Sequence, residues 1–303
     1  MEAFLISVMV AATPFLFAGI GELVAERSGV LNLGVEGMML VGAVAGFATT
    51  FATGSPWLGI GAGALAGVAL AAVFAGVSIY LMANQAATGL ALTIFGIGTS
   101  GLVGQPYVGQ TVVPLAQLDF WGADATGMLG RVLFGQDPMV YAGLILCAAV
   151  GVMLKSTRLG LRLRAVGDNP AAAHAMGISV RGTRALAVLF GGACAGIGGA
   201  YLSLVYTPMW GENMTAGRGW IAVALVVFAT WRPTRLVAGA FLFAAFTNAQ
   251  FYGQNIGLAV PAQVLAMVPY LMTIVALVLI SRNPVLARAN APAAIGQPFN
   301  PDR

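Results

Sequence analysis

Lysine occurs once in these 303 residues, histidine once and cysteine twice, and charged side chains together make up only 8% of the chain. Each scarcity excludes something. The one lysine, Lys155, stands in no G-x-x-x-x-G-K-[ST] loop, so this polypeptide builds no Walker-type phosphate cradle of its own. If nucleotide hydrolysis drives the protein, another chain performs it. His174 has no second histidine with which to share a metal, and no metal site is expected. Cys147 and Cys194 both lie inside apolar runs, where a thiol is an inert packing group. Carboxylates and histidines deep within apolar runs are also scarce. A charge at the centre of a membrane helix costs about 2.5–3.5 kcal/mol on insertion scales, and such groups mark ion and solute paths. Their scarcity argues against an ion-coupled carrier and for energy supplied from outside the bilayer.

What is abundant is apolar. Hydrophobic residues make up 59% of the chain and mean hydropathy is +0.89, whereas a soluble domain is nearer half apolar and about a quarter charged. The fold expected is therefore an all-α polytopic membrane protein, and the 41 glycines suit it because small residues let membrane helices approach closely. With roughly 20 apolar residues needed per crossing, about nine spans (eight to ten) are read at 4–21, 37–53, 57–82, 86–104, 137–155, 185–206, 217–231, 235–250 and 262–281. Neither a basic stretch before the first run nor an A-x-A site after it is present, so that run is read as a retained span.

Arginine distribution sets the expected orientation. With the C-terminus inside, Arg27, Lys155, Arg158, Arg162, Arg164, Arg181, Arg184, Arg232, Arg235, Arg282, Arg288 and Arg303 all face the cytoplasm, leaving Arg131 and Arg218 outside. The N-terminus is then external, in the inner or plasma membrane of a bacterial-type cell. The two halves echo each other: "GVLNLGVEGMMLVGAVAGFATT" then "GSPWLGIGAGALAG" in the first, "AGRGWIAVALVVFATW" then "RPTRLVAGAFLFAA" in the second. An odd connecting span turns two such quartets into inverted repeats, a transporter signature. The chain is thus read as one permease domain over 1–303. Its first repeat covers about 4–104, an outer segment 105–136, the connecting span 137–155 and a cytoplasmic loop 156–184. A second repeat, about 185–281, and a tail, 282–303, follow. Phe120 and Trp121 suit a membrane interface, and the outer segment is either a loop lying on the bilayer or a landing surface for an external partner. Trp210 and Trp220 are read as outer interfacial anchors.

Within the cytoplasmic loop, "GDNPAAAHAMGI" spells a short helix. Asp168 or Asn169 caps it, Pro170 suits its first position, the alanines favour helix and Gly177 closes it in a left-handed conformation. Two turns are unstable alone in water, so the helix needs a neighbour. Ala172, Ala175 and Met176 form a small apolar face flanked by arginines, suited either to a groove on another protein or to the chain's own inner surface. For solute, uncharged polar residues near the spans are the candidates: Asn84, Gln85, Thr88 and Thr93 in the first half, Asn248, Gln250, Gln254 and Asn255 in the second. Amides both donate and accept, which suits neutral bases and hydroxyls without a counterion. Asn32 and Glu36 are included, with a second role open to them in holding the broken start of the second span.

Three motifs give the chain a family likeness. "ERSGVLNLGVEGMMLVGA" (26–43) resembles the membrane-subunit signature of the ABC importers for nucleosides, simple sugars and branched-chain amino acids. "LRAVGDNPAAAHAMGI" (163–178) is similar to that family's cytoplasmic coupling segment, and "GGAYLSLVYTPMWGENMTAGRGWIAVALVVFATWRP" (198–233) most resembles its nucleoside branch, of guanosine type. The likeness extends to the tail "AAIGQPF". It implies a non-enzymatic permease subunit working by alternating access, with Asp168, Asn169, Pro170, Ala172, His174, Ala175, Met176 and Gly177 docking on an ATPase. It also implies ATP and Mg on partner ATPase subunits, with no cofactor on this chain. A second, related permease subunit and an extracytoplasmic solute-binding lipoprotein would complete the assembly in the bilayer, with no nucleic-acid partner. The resemblance does not fix the solute, and a simple sugar or branched-chain amino acid stays open beside a nucleoside.

Overall fold

The computed structural model of the chain describes residues 2–118, 127–255, a few positions between 264 and 278, and 290–300. Among these residues there is no strand; the chain runs as α-helices α1 (Glu2–Arg27), α2 (Val35–Thr53), α3 (Pro56–Ala75), α4 (Gln85–Gly104), α5 (Gly127–Phe134) and α6 (Pro138–Ser156). It continues through α7 (Arg158–Asp168), α8 (Pro170–Ala175), α9 (Val180–Tyr201), α10 (Arg218–Phe228) and α11 (Pro233–Asn255). α3 and α9 each end in a π-helical turn, Gly76–Tyr80 and Leu202–Tyr206. Six of the resulting stretches are long and apolar enough to cross a membrane: Glu2–Arg27, Val35–Thr53, Pro56–Tyr80, Gln85–Tyr107, Pro138–Ser156 and Val180–Tyr206. The chain is a polytopic helical membrane protein. The expected span 262–281, Phe120, Trp121, Arg282, Arg288 and Arg303 lie outside the described residues, apart from single positions in that span.

Local sequence explains where the helices start. Ser55, Asn84, Thr157, Asn169 and Ser179 each accept a bond from a free first-turn amide, and Asp137 accepts two. Pro56, Pro138 and Pro170 follow their caps directly, where no amide hydrogen is required. The centre of the fold is α9, which packs against α1, α2 and α3. Its glycines make that possible: a Cβ on Gly42 of α2 would lie 2.5 Å from the Gly196 Cα, and one on Gly192 would lie 2.6 Å from the Gly67 oxygen. Close approach of this kind supplies the dispersion contacts that hold membrane helices together.

Three features differ from the sequence reading. The first helix continues to Arg27, not 21, so Glu22 and Glu26 are buried helix residues. Each has a remote donor: Asn32 N to Glu22 Oε1 at 3.1 Å and Trp231 Nε1 to Glu26 Oε2 at 2.5 Å. The loop 156–184 contains α7 as well as the expected short helix; Leu163 and Val166 are buried on one side of it while Arg158 and Arg162 are exposed. The outer segment contains α5, whose Arg131 Nε pairs with Glu2 at 2.9 Å.

Candidate functional site

Two helices begin inside the packed body. α2 follows a non-helical stretch, 28–34, and α10 follows another, 207–217. Such starts leave unpaired amides, and unsatisfied backbone is costly away from water. Glu36, in the first turn of α2 and only 2% exposed, resolves the start of α10. Its Oε1 accepts from Thr215 Oγ1 at 2.6 Å and Gly217 N at 2.8 Å, and its Oε2 accepts from Gly219 N at 2.6 Å. A carboxylate on the positive end of a helix is favourable. Here the cap comes from another helix, which ties the two starts together. Only glycine fits at 219, because a Cβ there would lie 2.5 Å from both Glu36 N and Glu36 Cα.

The stretch 28–34 is held in the same way by side chains selected from the sequence. Gln85 Oε1 accepts from Leu31 N at 2.9 Å, Asn32 Oδ1 accepts from Gly34 N at 2.9 Å, and the Thr93 hydroxyl donates to Leu33 O at 3.0 Å. Arg184, buried, donates from Nε to Ser28 O at 3.1 Å. Asn32, Gln85 and Thr93 thus gather on the stretch 28–34, and Asn32 takes the second role open to it, holding the start of the second span; Glu36 instead caps the start of α10. Asn84 and Thr88 stand apart at the start of α4, where Asn84 caps Ala87 N and the Thr88 hydroxyl returns to Asn84 O. Asn248 donates to Ala244 O and Ser7 O, linking α11 to α1. The side chains of Gln250, Gln254 and Asn255 lie outside the described residues.

A cavity of about 770 Å³ opens beside Glu36, walled by Asn213, Ala216, Gly217, Trp220, Ile221 and Ala224, with Ile97 of α4 and Ile274. Its lining is mainly apolar, with one amide and one indole. Trp220 is 47% exposed on this wall, while Trp210 is 2% exposed. Trp210 is therefore a packing residue beneath Gly104, and not an interfacial anchor. Asn213 and Ala216 have φ of 53° and 47°, left-handed values that residues with a Cβ rarely adopt. They turn the chain into α10. Sequence reasoning passed over Asn213, Thr215 and Gly219. The glycine-punctuated "NMTAGRG" was the available signal.

The short helix α8 lies between α7 and α9. Asn169, not Asp168, is its cap: Asn169 Oδ1 accepts from Ala172 N at 3.0 Å, while Asp168 ends α7. Gly177 takes φ 79° just beyond it. Ala173 packs inward on Val166 and Val180, with Ile178 and Phe299 alongside. Ala171, Ala172, His174, Ala175 and Met176 are exposed, Met176 by 82%. The expected apolar face Ala172–Ala175–Met176 thus points away from the chain's own surface. Among the described residues, no three His, Cys, Asp or Glu side chains converge as metal ligands would.

The sequence pattern of the family described as "Branched-chain amino acid transport system / permease component" matches residues 4–277. A putative glucose ABC transporter permease protein of Haloferax volcanii is 40% identical, covering 96% of this chain and 95% of its own. A nucleoside ABC transporter permease protein of Lactococcus lactis is 30% identical over 98% of this chain and 96% of its own. A guanosine ABC transporter permease protein of Bacillus subtilis is 29% identical over 96% and 94%. No solved structure matches. A helical body with two internally started helices, and a match running through nearly all of them, lead to one conclusion: the chain belongs to the branched-chain amino acid transport system permease family and is a non-enzymatic, multi-pass ABC transporter permease.

Proposed function

We propose that this permease is half of the membrane pathway of an importer for a neutral ring-shaped solute, a nucleoside in the first instance. The observation that carries the reading is the cavity at the start of α10. Glu36 borders it with both carboxylate oxygens engaged by three donors, and the rest of the lining offers Trp220 as a flat face and Asn213 as an amide. An indole stacks on a planar base, and an amide bonds ring nitrogens and hydroxyls without a counterion. Arg218, next to the lining residue Gly217 in sequence, sits over the Tyr206 ring at 5.5 Å and bonds Met214 O and Thr215 O. A free zwitterionic amino acid would find no fixed charge pair among these residues.

In this reading, separate ATPase subunits bind ATP and Mg and grip α8 from the cytoplasm. The described helices belong to a nine-span chain of two inverted repeats with an external N-terminus and a cytoplasmic C-terminus. A related second permease subunit completes the pore, and an extracytoplasmic lipoprotein delivers the solute. The matching starts of α2 and α10 support the repeat. The gathering of Arg27, Arg184 and the 290–300 tail at one end supports the orientation. A simple sugar is the second reading, favoured by the 40% identical glucose permease relative. Uptake of labelled guanosine by a deletion strain carrying this chain and its partners tests the first reading. Competition by unlabelled nucleosides, and none by glucose, is expected; competition by glucose alone overturns it in favour of the second.

A further inference from the structure

Chain termini are poorly ordered unless something ties them down. Residues 290–300 of this chain are tied at four points, to α1, α7, α9 and the stretch 28–34. Arg27 Nη1 donates to Asn290 O at 2.9 Å, Ala294 N donates to Gly167 O at 2.9 Å, Gly296 N donates to Gly29 O at 3.1 Å, and Arg184 Nη1 donates to Gln297 O at 2.8 Å. Further along, Phe299 joins the small apolar cluster under α8, beside Ala173, and its ring meets His174 edge-on at 5.5 Å between centroids. Ala294 is buried, and Ala291 and Ile295 pack on the core beneath.

Two glycines at this junction take a left-handed backbone that favours glycine. Gly29 and Gly296 have φ of 87° and 72°. A Cβ on Gly29 would stand 2.9 Å from Arg184 Nη2 and 3.2 Å from Ala294 O. The guanidinium of Arg184 holds both the tail, through Gln297 O, and the stretch 28–34, through Ser28 O. That stretch leads within a few residues to Glu36 and the start of α10.

We infer that the C-terminal segment 290–300 is a strap that transmits motion from α8 to the start of α2, with Arg184 and Phe299 as its positioning residues. This rests on the reading that α8 is where the ATPase acts. Movement of α8 pulls on Phe299; the strap carries the displacement to Gly29 and, through Arg184, to Ser28. The helices α7 and α9 flank the route and limit how far the strap can shift sideways. Without the strap, α8 moves on its own side and the α2–α10 junction does not follow.

The test uses the full importer, with its ATPases, partner permease and delivery protein, reconstituted in liposomes and assayed for solute uptake and ATP hydrolysis together. Gly296→Pro removes the amide that donates to Gly29 and is incompatible with a positive φ. Phe299→Ala removes the contact under α8 and leaves the core intact. Truncation after residue 289 removes the whole strap. The expected result is that solute moved per ATP hydrolysed falls roughly tenfold in all three, a coupling loss of ordinary allosteric size. The ATPases should still co-purify and hydrolyse ATP. An unchanged transport-to-hydrolysis ratio in Gly296→Pro and Phe299→Ala overturns the inference. So does loss of ATPase co-purification, which would make the strap a structural support of the docking surface. Ala172→Glu, on the outward face of α8, separates the two readings. If that variant keeps its ATPases and its transport, the docking role of α8 fails, whatever the strap variants do.

Discussion

Glu36 shows what a single side chain contributes. Its three bonds are charge-assisted and buried, and hydrogen bonds to charged groups contribute about 1.5–3 kcal/mol each. Glu36→Gln keeps the shape but replaces one acceptor oxygen with an NH₂ group, which then faces a donor. A lower unfolding temperature in detergent is expected, together with loss of uptake, and Gly219→Ala should do the same by pushing a methyl group into the Glu36 backbone. Wild-type thermal stability in both variants would remove Glu36 from the structural role described. The two tryptophans separate similarly. Trp210→Ala empties a buried site and should cost about 3–5 kcal/mol, whereas Trp220→Ala, on the half-exposed cavity wall, should leave stability unchanged and reduce uptake. Equal stability losses in the two would contradict the placement of Trp220 in a solute cavity.

Among the elements, α8 carries the most readable local code. Asn169, Pro170, the alanine run and Gly177 each sit where sequence alone assigns them, because capping and turn chemistry act within four residues. Gly177→Val strains a backbone at φ 79°. Membrane insertion should persist while uptake is lost, which surface labelling and transport assays read separately. Transport at the wild-type rate would contradict the coupling role. α7 was harder to read: its arginines make the stretch look like a loop, and the buried pair Leu163 and Val166 is too short a stripe to outweigh them. The continuation of α1 past residue 21, through Glu22 and Glu26, escaped the sequence reading for a different reason. The donors that meet one oxygen of each inside α1 are an amide ten residues away and the Trp231 indole, 205 residues away. Neither partner can be inferred from spacing. Of the polar residues chosen as solute candidates in the first half, Asn84 is exposed and Thr88 half-buried, while the buried Asn32, Gln85 and Thr93 all bond the backbone of 28–34. An intramembrane amide satisfying irregular chain looks, in sequence, the same as one awaiting a solute.

Across the whole molecule, the cavity beside Glu36 and the exposed helix α8 lie at opposite ends of a connected path: α8, the tail, Arg184, the stretch 28–34, Glu36 and α10. Packing around α9 is too tight for Gly192, Gly196 and Gly199 to accept a Cβ, which favours movement of helices as bodies over gradual deformation. High affinity has no place in the proposed import pathway, from which solute would leave inward; on that proposal the purified permease should bind nucleoside only weakly. Submicromolar binding in the absence of the delivery protein, measured by calorimetry, would contradict that. The central claim is that this charge-poor body is moved by a separate motor. Its most direct measurement is nucleoside uptake by the reconstituted importer, with ATP present and ion gradients dissipated, then with gradients present and ATP depleted. Uptake in the first condition alone is the expected result; uptake that follows the ion gradient and survives without ATP would contradict it.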